Sequence, residues 1–204
     1  DSLKGETHTI KQVVSASAIG IYPDSLINYY DQSFNETSDS FLGEVVKAWE
    51  KAVDGFSELD INVSKVRIGL VLAENGGALQ EMVKPIKLGA GAAFGTGKQW
   101  QSWVHIHDLA NLFLYVLQKN LSGVYNGVAP NPVSNQELTK TIATVLKKPL
   151  FLPNIPKFFM KLVLGEMHTI LFDSQRVSSK KIEDKGFYFK YHHLEPALED
   201  LLKN

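Results

Sequence analysis

The sequence predicts an α/β fold built on a parallel sheet. Two β-branched, apolar runs, residues 13–18 and 61–72, read as strands. Between them Val45, Ala48, Trp49 and Ala52 keep helical spacing. Strand, helix, strand with a helix of that length is the pattern of a parallel crossover, since antiparallel neighbours need only a short turn.

Each element has its own warrant. Val13–Ala18 reads as a buried strand. Residues 22–40 are rich in turn formers and aromatics and read as a loop able to cover a site. Asp39 or Ser40 is placed to cap the helix over residues 41–56. Residues 76–89 read as a short helix weakened by Pro85. The glycine-rich stretch 90–101 reads as a loop, residues 102–106 as a short strand, and residues 107–120 as an amphipathic helix. Asp108 stands near that helix's N-terminus, where the dipole favours a carboxylate. Residues 123–129 read as a strand and 134–148 as a helix with Ser134 and Glu137 as its capping box. An apolar stretch with Met160 and Met167, residues 154–172, reads as a core helix rather than a cofactor box. Residues 180–204 read as a short helix, a strand and a terminal helix.

Bulk properties exclude several functions. A chain of 204 residues makes one domain, or one domain with a small appendage. Its hydrophobic fraction of 44% and charged fraction of 21% are those of a soluble globular protein. A net charge of −1 gives no electrostatic case for nucleic acid or an anionic membrane. The absence of cysteine removes disulfides, thiolate zinc sites and cysteine nucleophiles, and it leans the expected location toward the cytoplasm. The apolar runs are too short to span a bilayer. The polar start at Asp1, with no strand pattern, leads us to expect a further segment upstream.

Two motifs mislead. GAGAAFGTGK lacks the glycine five positions before its Gly-Lys pair, where Ala92 stands, and Gln99 replaces the magnesium-binding Ser or Thr. The dinucleotide fingerprint fails too, because Phe94 stands where its last glycine belongs. His105 and His107 would share one side of a strand, which suits two metal ligands, but no other cluster completes a set. A structural or capping role is expected there, with no metal. The adjacent His192 and His193 would point apart on a strand and are read as surface residues.

Ser15 and Ser17 lie two apart and face one side of their strand. Side by side, two parallel strands bring Ser17 level with Gly69 to Leu72, and ligands of open α/β sheets bind beyond such carboxyl ends. A buried hydroxyl bonded to backbone, and a partly buried salt bridge for Arg67, are the alternatives.

SASAIGIY, WEKAV, VRIGLVLAENGGALQEM, GTGKQWQSWVHIHDL, GVYNGVAPNPVSNQEL, GEMHTIL and LEPALEDLL occur in this order. Together they resemble the atypical extended short-chain dehydrogenase/reductases, the nucleoside-diphosphate-sugar epimerase-like proteins, over nearly the whole chain. The resemblance implies the C-terminal part of an extended Rossmann fold, a doubly wound parallel sheet with a smaller α+β substrate domain. It implies residues 1–75 as the later part of an NADP-binding core, to which 102–119 and 123–129 return. Residues 76–101 and 130–204 are then mainly substrate-side. The glycine motif of the family is expected upstream of Asp1.

The wider superfamily pairs a serine with Tyr-x-x-x-Lys on the following helix, where the tyrosine moves the proton and the lysine lowers its pKa and holds the nicotinamide ribose. Ser17 matches the serine. Counting back from Glu50, the tyrosine and lysine positions fall at Leu42 and Val46, and Lys47 lies on another helical face. Tyr22, or Tyr29 or Tyr30, is the candidate replacement phenol. Ser15, Ala16, Arg67, Gly69, Leu70 and Val71 are implied beside the NADP cofactor. Lys98, Gln99 and Trp103 are implied near substrate, Trp103 against even odds of core packing. The function implied is an NADP-dependent oxidoreductase or epimerase acting on a small carbonyl or nucleotide-sugar-like substrate. The alternatives are an inactive NADP(H)-binding or sensing module and a fragment stabilised by self-association, with a second copy of the chain as partner.

Overall fold

The computed structural model describes residues 8–156 and 172–203. Its centre is a parallel sheet. Strand β1 (Gln12–Ala18) pairs with β3 (Asn62–Ile68), and β3 pairs with β7 (Gly123–Gly127). The register sets Ser17 beside Arg67 and Arg67 beside Asn126. Helix α1 (Phe41–Asp54) makes the crossover from β1 to β3, as its length predicts, and Ser40 caps it by accepting a hydrogen bond from Gly43 N. Of β1's residues only Ser17 is buried, so the expected buried strand is a half-exposed edge among the described residues.

The buried face of α1 corrects the sequence expectation. Gly43, Val46, Glu50 and Val53 face inward, whereas Val45 and Trp49 are more than two-fifths exposed. A glutamate on the inner face hides that face from a purely hydrophobic pattern.

The expected single strand over residues 61–72 breaks at Gly69. Beyond it β4 (Leu70–Leu72) leaves β3's neighbours and pairs in parallel with β6 (Trp103–His105). Gly69 makes the transfer possible. Its N–H donates to Gly127 O, Leu70 N–H donates to Ser102 O, and a Cβ at position 69 would stand 2.1 Å from Ser102 O.

Three layers of side chains surround this frame. Helix α3 (Ile106–Gln118) packs Leu109, Leu112 and Val116 against Val66, Val104 and Tyr125. Each such burial stabilises by about 1.5–3 kcal/mol. Helices α2 (Gly77–Lys87), α4 (Asn135–Val145) and α6 (Leu194–Leu202) enclose Leu72, Trp103, Leu138 and Ile142. Pro85 falls in the last turn of α2, and Ser134 caps α4 by accepting from Glu137 N. A third group gathers Ile21, Tyr22, Tyr30, Val46 and Val177 where β2 (Tyr29–Tyr30) pairs with β9 (Arg176–Val177). The short β5 (Trp100–Gln101) and β8 (Val133–Ser134) pair antiparallel.

After the short helix α5 (Lys180–Glu183), the strand expected near residues 187–191 does not form. Phe187, Phe189 and Tyr191 are buried while Tyr188 and Lys190 are exposed, so the period-2 pattern is real. The partner strand is replaced by a side chain, as Asp108 accepts from both Lys190 N and Tyr191 N. The expected helix over residues 154–172 lies almost wholly outside the described residues.

Gly69→Ala is expected to destabilise the protein by about 1–3 kcal/mol through overpacking. Gly20→Ala, whose Cβ would meet nothing nearer than Leu42 Cβ at 3.9 Å, is expected to be nearly neutral. Urea unfolding of the two variants checks the contrast.

Candidate functional site

A cleft of about 370 Å³ opens beyond the carboxyl ends of β1 and β3. Ala18, Ile19 and Gly20 form one side, Ile68 to Val71 the floor, and Leu42 and Val46 of α1 the back wall. Gly77 and Ala78 close one end, and Trp100, Gln101, Ser102, Asp173 and Gln175 the other. The lining is mostly apolar, and Asp173 is the one ionisable side chain among its described residues.

Beneath the floor lies a buried polar network. Glu50 accepts from Arg67 Nε at 2.8 Å and Nη2 at 2.9 Å, a two-point ion pair. Ser17 Oγ donates to the same carboxylate at 2.6 Å. Arg67 Nη1 donates to Tyr22 Oη at 3.0 Å, and Tyr22 donates to Asn126 Oδ1 at 2.9 Å. Asn126 in turn donates to Ser178 O, and Lys65 Nζ joins Asp54 at 2.7 Å while lying 3.7 Å from Glu50. The Arg67 guanidinium also lies over the Tyr22 ring, and Tyr22 stacks on Tyr30.

The electrostatics follow from this geometry. Burial alone would raise the Glu50 pKa, but hydrogen bonds from Arg67 and Ser17 and the charges of Arg67 and Lys65 outweigh it and hold it below its usual value. Burial raises the Tyr22 phenol above its usual value, and Arg67 and Asn126 offset only part of that rise. Burial opposes the charge on Arg67, yet Glu50 and Tyr22 more than compensate and raise its pKa further.

This arrangement relocates several residues expected at the site. Ser17 and Tyr22 do not line the cleft; both are almost fully buried and committed to the network. Arg67 binds Glu50 rather than open space, realising its salt-bridge alternative. Ser15 Oγ donates locally to Ala16 O, and neither residue reaches the cleft. Gly69, Leu70 and Val71 do line it, but the close approach at Gly69 is to Ser102 backbone. Trp103 is fully buried, with Nε1 donating to Asn131 O, so it is a core residue. Gln99 is buried against Phe94 O, and Lys98 is exposed on a turn where Gly95 and Gly97 take φ of 55° and 71°. Neither lines the cleft.

The His-rich stretch takes the capping role expected of it. His107 lies in helix α3, so it shares no strand face with His105. His105 caps that helix, accepting from His107 N, stacks on Tyr191 at 4.0 Å and faces Asp200 at 3.3 Å. Burial lowers the His105 pKa, with Asp200 opposing. No group of three candidate ligands that could hold a metal occurs among the described residues. His192 and His193 lead into α6 rather than lying on a strand.

Sequence reasoning missed Glu50 as a partner and missed Trp100, Ser102, Asp173 and Gln175 as cleft residues. Glu50 was recoverable from its spacing with Gly43, Val46 and Val53. The other four gave no local signal, because tertiary contact between β5 and the segment before β9 brings them together.

The parallel sheet, the crossover and the cleft beyond its carboxyl ends define a Rossmann-like α/β protein. Residues 6–128 match the NAD dependent epimerase/dehydratase family, and the chain belongs to it. Residues 155–201 match a domain of unknown function, DUF1731. An epimerase family protein of Staphylococcus aureus strain N315 is 37% identical over 201 residues, 98% of this chain and 67% of its own length. The crystal structure of human epimerase family protein SDR39U1 (isoform 2) with NADPH matches with a TM-score of 0.86 at 30% identity, over 95% of this chain and 66% of that one. A nucleoside-diphosphate sugar epimerase from Corynebacterium glutamicum matches with a TM-score of 0.76 at 29% identity, over 94% of this chain and 37% of that one. The chain thus spans about two thirds of the length of the curated relatives it matches. Among the described residues no helix is long and apolar enough to cross a membrane.

Glu50→Gln is expected to cost about 3–5 kcal/mol, because Arg67 stays buried without its counter-charge. A carboxylate with a lowered folded-state pKa contributes stability above its unfolded value and loses it as pH falls through the lowered one. Acid unfolding of the wild type should therefore be steeper below the ordinary carboxylate range than that of Glu50→Gln, as circular dichroism at stepped pH will read.

Proposed function

We propose that this chain forms the nicotinamide- and substrate-facing part of an NADP(H)-binding protein that lacks tyrosine-based proton transfer. One observation carries the proposal: Leu42 and Val46, at the positions of the superfamily's tyrosine and lysine, stand on the cleft wall as hydrocarbon. Neither exchanges a proton. Of the candidate replacement hydroxyls, those of Ser17 and Tyr22 are held by Glu50, Arg67 and Asn126, Tyr30 is fully buried and accepts from Asn28 Nδ2, and Tyr29 lies under Arg176 outside the cleft lining.

The cleft suits the nicotinamide end of the cofactor. Its apolar wall accepts a flat ring, and the turn Ile19–Ile21 and residues Ile68–Val71 present backbone at its edge. Ala18, Gly20, Leu42, Val46 and Leu70 are the residues that would hold it. Bound there, the cofactor supplies hydride chemistry, and the protein supplies position and water exclusion. NADPH bound to the human relative supports NADP over NAD. The division at residues 1–75, with 102–119 and 123–129 returning, and a cytoplasmic setting belong to the same reading; the lack of cysteine is consistent with that setting.

A second reading keeps the chemistry. Asp173 lines the cleft and is the ionisable group there among the described residues. As a general acid or base it would serve a reductase or epimerase acting on a small carbonyl or a nucleotide-sugar-like substrate.

The test uses the whole protein. NADPH binding, followed by its fluorescence, is expected, and filling the wall with Leu42→Trp should weaken it by roughly tenfold or more through steric exclusion. Hydride exchange is then screened over aldehydes, ketones and nucleotide sugars. Turnover abolished by Asp173→Asn would establish the second reading, and turnover abolished by Tyr22→Phe in a folded protein would overturn the first.

A further inference from the structure

Arg176 lies one ring away from the cleft and, among the described residues, has no hydrogen-bond acceptor. Its guanidinium carbon sits 4.4 Å from the centroid of the Trp100 ring and 4.9 Å from that of Tyr29. Trp100 lines the cleft, as does Gln175, Arg176's neighbour in the chain. The arrangement is built from several sides. Pairing of β2 with β9 sets Tyr29 directly beside Arg176. Trp100 is fixed by its Nε1–H donating to Leu26 O and its backbone N–H donating to Ser174 Oγ.

Aromatic faces hold a guanidinium by charge and contact but accept none of its in-plane N–H bonds. The Nε–H of Arg176 is buried and has no hydrogen-bond partner, and among the described residues the side chain forms no ion pair. The neighbouring buried cations differ, since Arg67 is paired with Glu50 and Lys65 with Asp54. A buried donor without a protein acceptor is uncommon in native proteins, so the Arg176 fork is held here by ring faces rather than by hydrogen bonds. A planar fork held by ring faces, with its donors unspent, has the form that receives an oxyanion at two points.

The geometry points to Arg176, with Tyr29 and Trp100, as the anion-recognition element at the rim of the cleft. It takes a carboxylate or phosphate carried by a ligand whose apolar body lies against Trp100. With apolar walls, Asp173 in the lining and Arg176 beyond Trp100 at the same end, the ligand taken is small and largely apolar, with one anionic end directed to Arg176 rather than to Asp173. This deepens the proposed function and rests on the cleft being the ligand site.

The test titrates the whole protein with benzoate and, separately, with inorganic phosphate, following the Trp100 indole N–H signal by NMR. Wild type is expected to show a saturable shift with at least one anion. Arg176→Lys should weaken that binding by roughly tenfold, because the charge remains and the fork is lost. Arg176→Gln should abolish it while leaving NADPH affinity unchanged. Tighter benzoate binding assigns a carboxylate on an apolar body, and tighter phosphate binding a phosphate ester. No saturable shift in wild type, or equal binding by Arg176→Gln, overturns the inference. A fall in NADPH affinity parallel to the loss of anion binding also overturns it, since the anion held would then be the cofactor's. Failure of wild type to bind NADPH while the anion still binds refutes the proposed cofactor role alone.

Discussion

The Glu50–Arg67 ion pair is the constraint on which the site depends. It lies between the crossover helix and the middle strand of the parallel sheet, with Ser17 and Lys65 on the carboxylate and Tyr22 on the guanidinium. A buried pair of this kind adds little net stability over a well-packed apolar substitute, because removing both charges from water is costly. Its effect is on specificity. With Arg67 held to Glu50 at two points and to Tyr22 at a third, and Ser17 donating to Glu50, the pair fixes the height and rotation of α1 on the sheet. That sets which residues of α1 reach the cleft, namely Leu42 and Val46.

The same pair engages two buried hydroxyls, Ser17 on Glu50 and Tyr22 under Arg67. A serine at the end of a strand and a tyrosine in the following turn look like a proton-transfer site when seen in one dimension. In three dimensions their oxygens point below the floor of the cleft, into charge that has already been matched. What remains open above the floor is hydrocarbon, backbone and a few polar groups near β5 and β9. A cleft so lined recognises a flat ring and an apolar body well. Among the described residues the polar side chains of the cleft are Gln101, Ser102, Asp173 and Gln175, with Arg176 beyond Trp100.

Much of this architecture was legible in the sequence. The β-branched runs around Val13 and Val66 and the long stretch between them implied the parallel crossover. Ser40 and Ser134 marked helix starts by their side-chain chemistry. The illegible parts share a cause, which is a polar side chain doing work that pattern reading assigns to hydrophobic or backbone groups. Glu50 occupies a core face, so the amphipathic stripe of α1 was read from the exposed side. Asp108 stands in for a strand partner along residues 187–191, so an alternating segment read as a strand. Gly69 joins two strands without any change in local hydrophobicity, so the break there was silent. Cleft residues such as Trp100 and Gln175 meet only through tertiary contact, which local spacing does not encode.

The ionisation of Tyr22 tests the central claim most directly. With tyrosine ring carbons labelled with ¹³C, and the Tyr22 signal assigned through Tyr22→Phe, its phenol can be followed by NMR as pH rises. Burial, which Arg67 and Asn126 offset only in part, predicts that it stays neutral beyond the ordinary tyrosine value of 10.0. Titration of Tyr22 well below that value would mean that its hydroxyl is poised for proton transfer and would contradict the account.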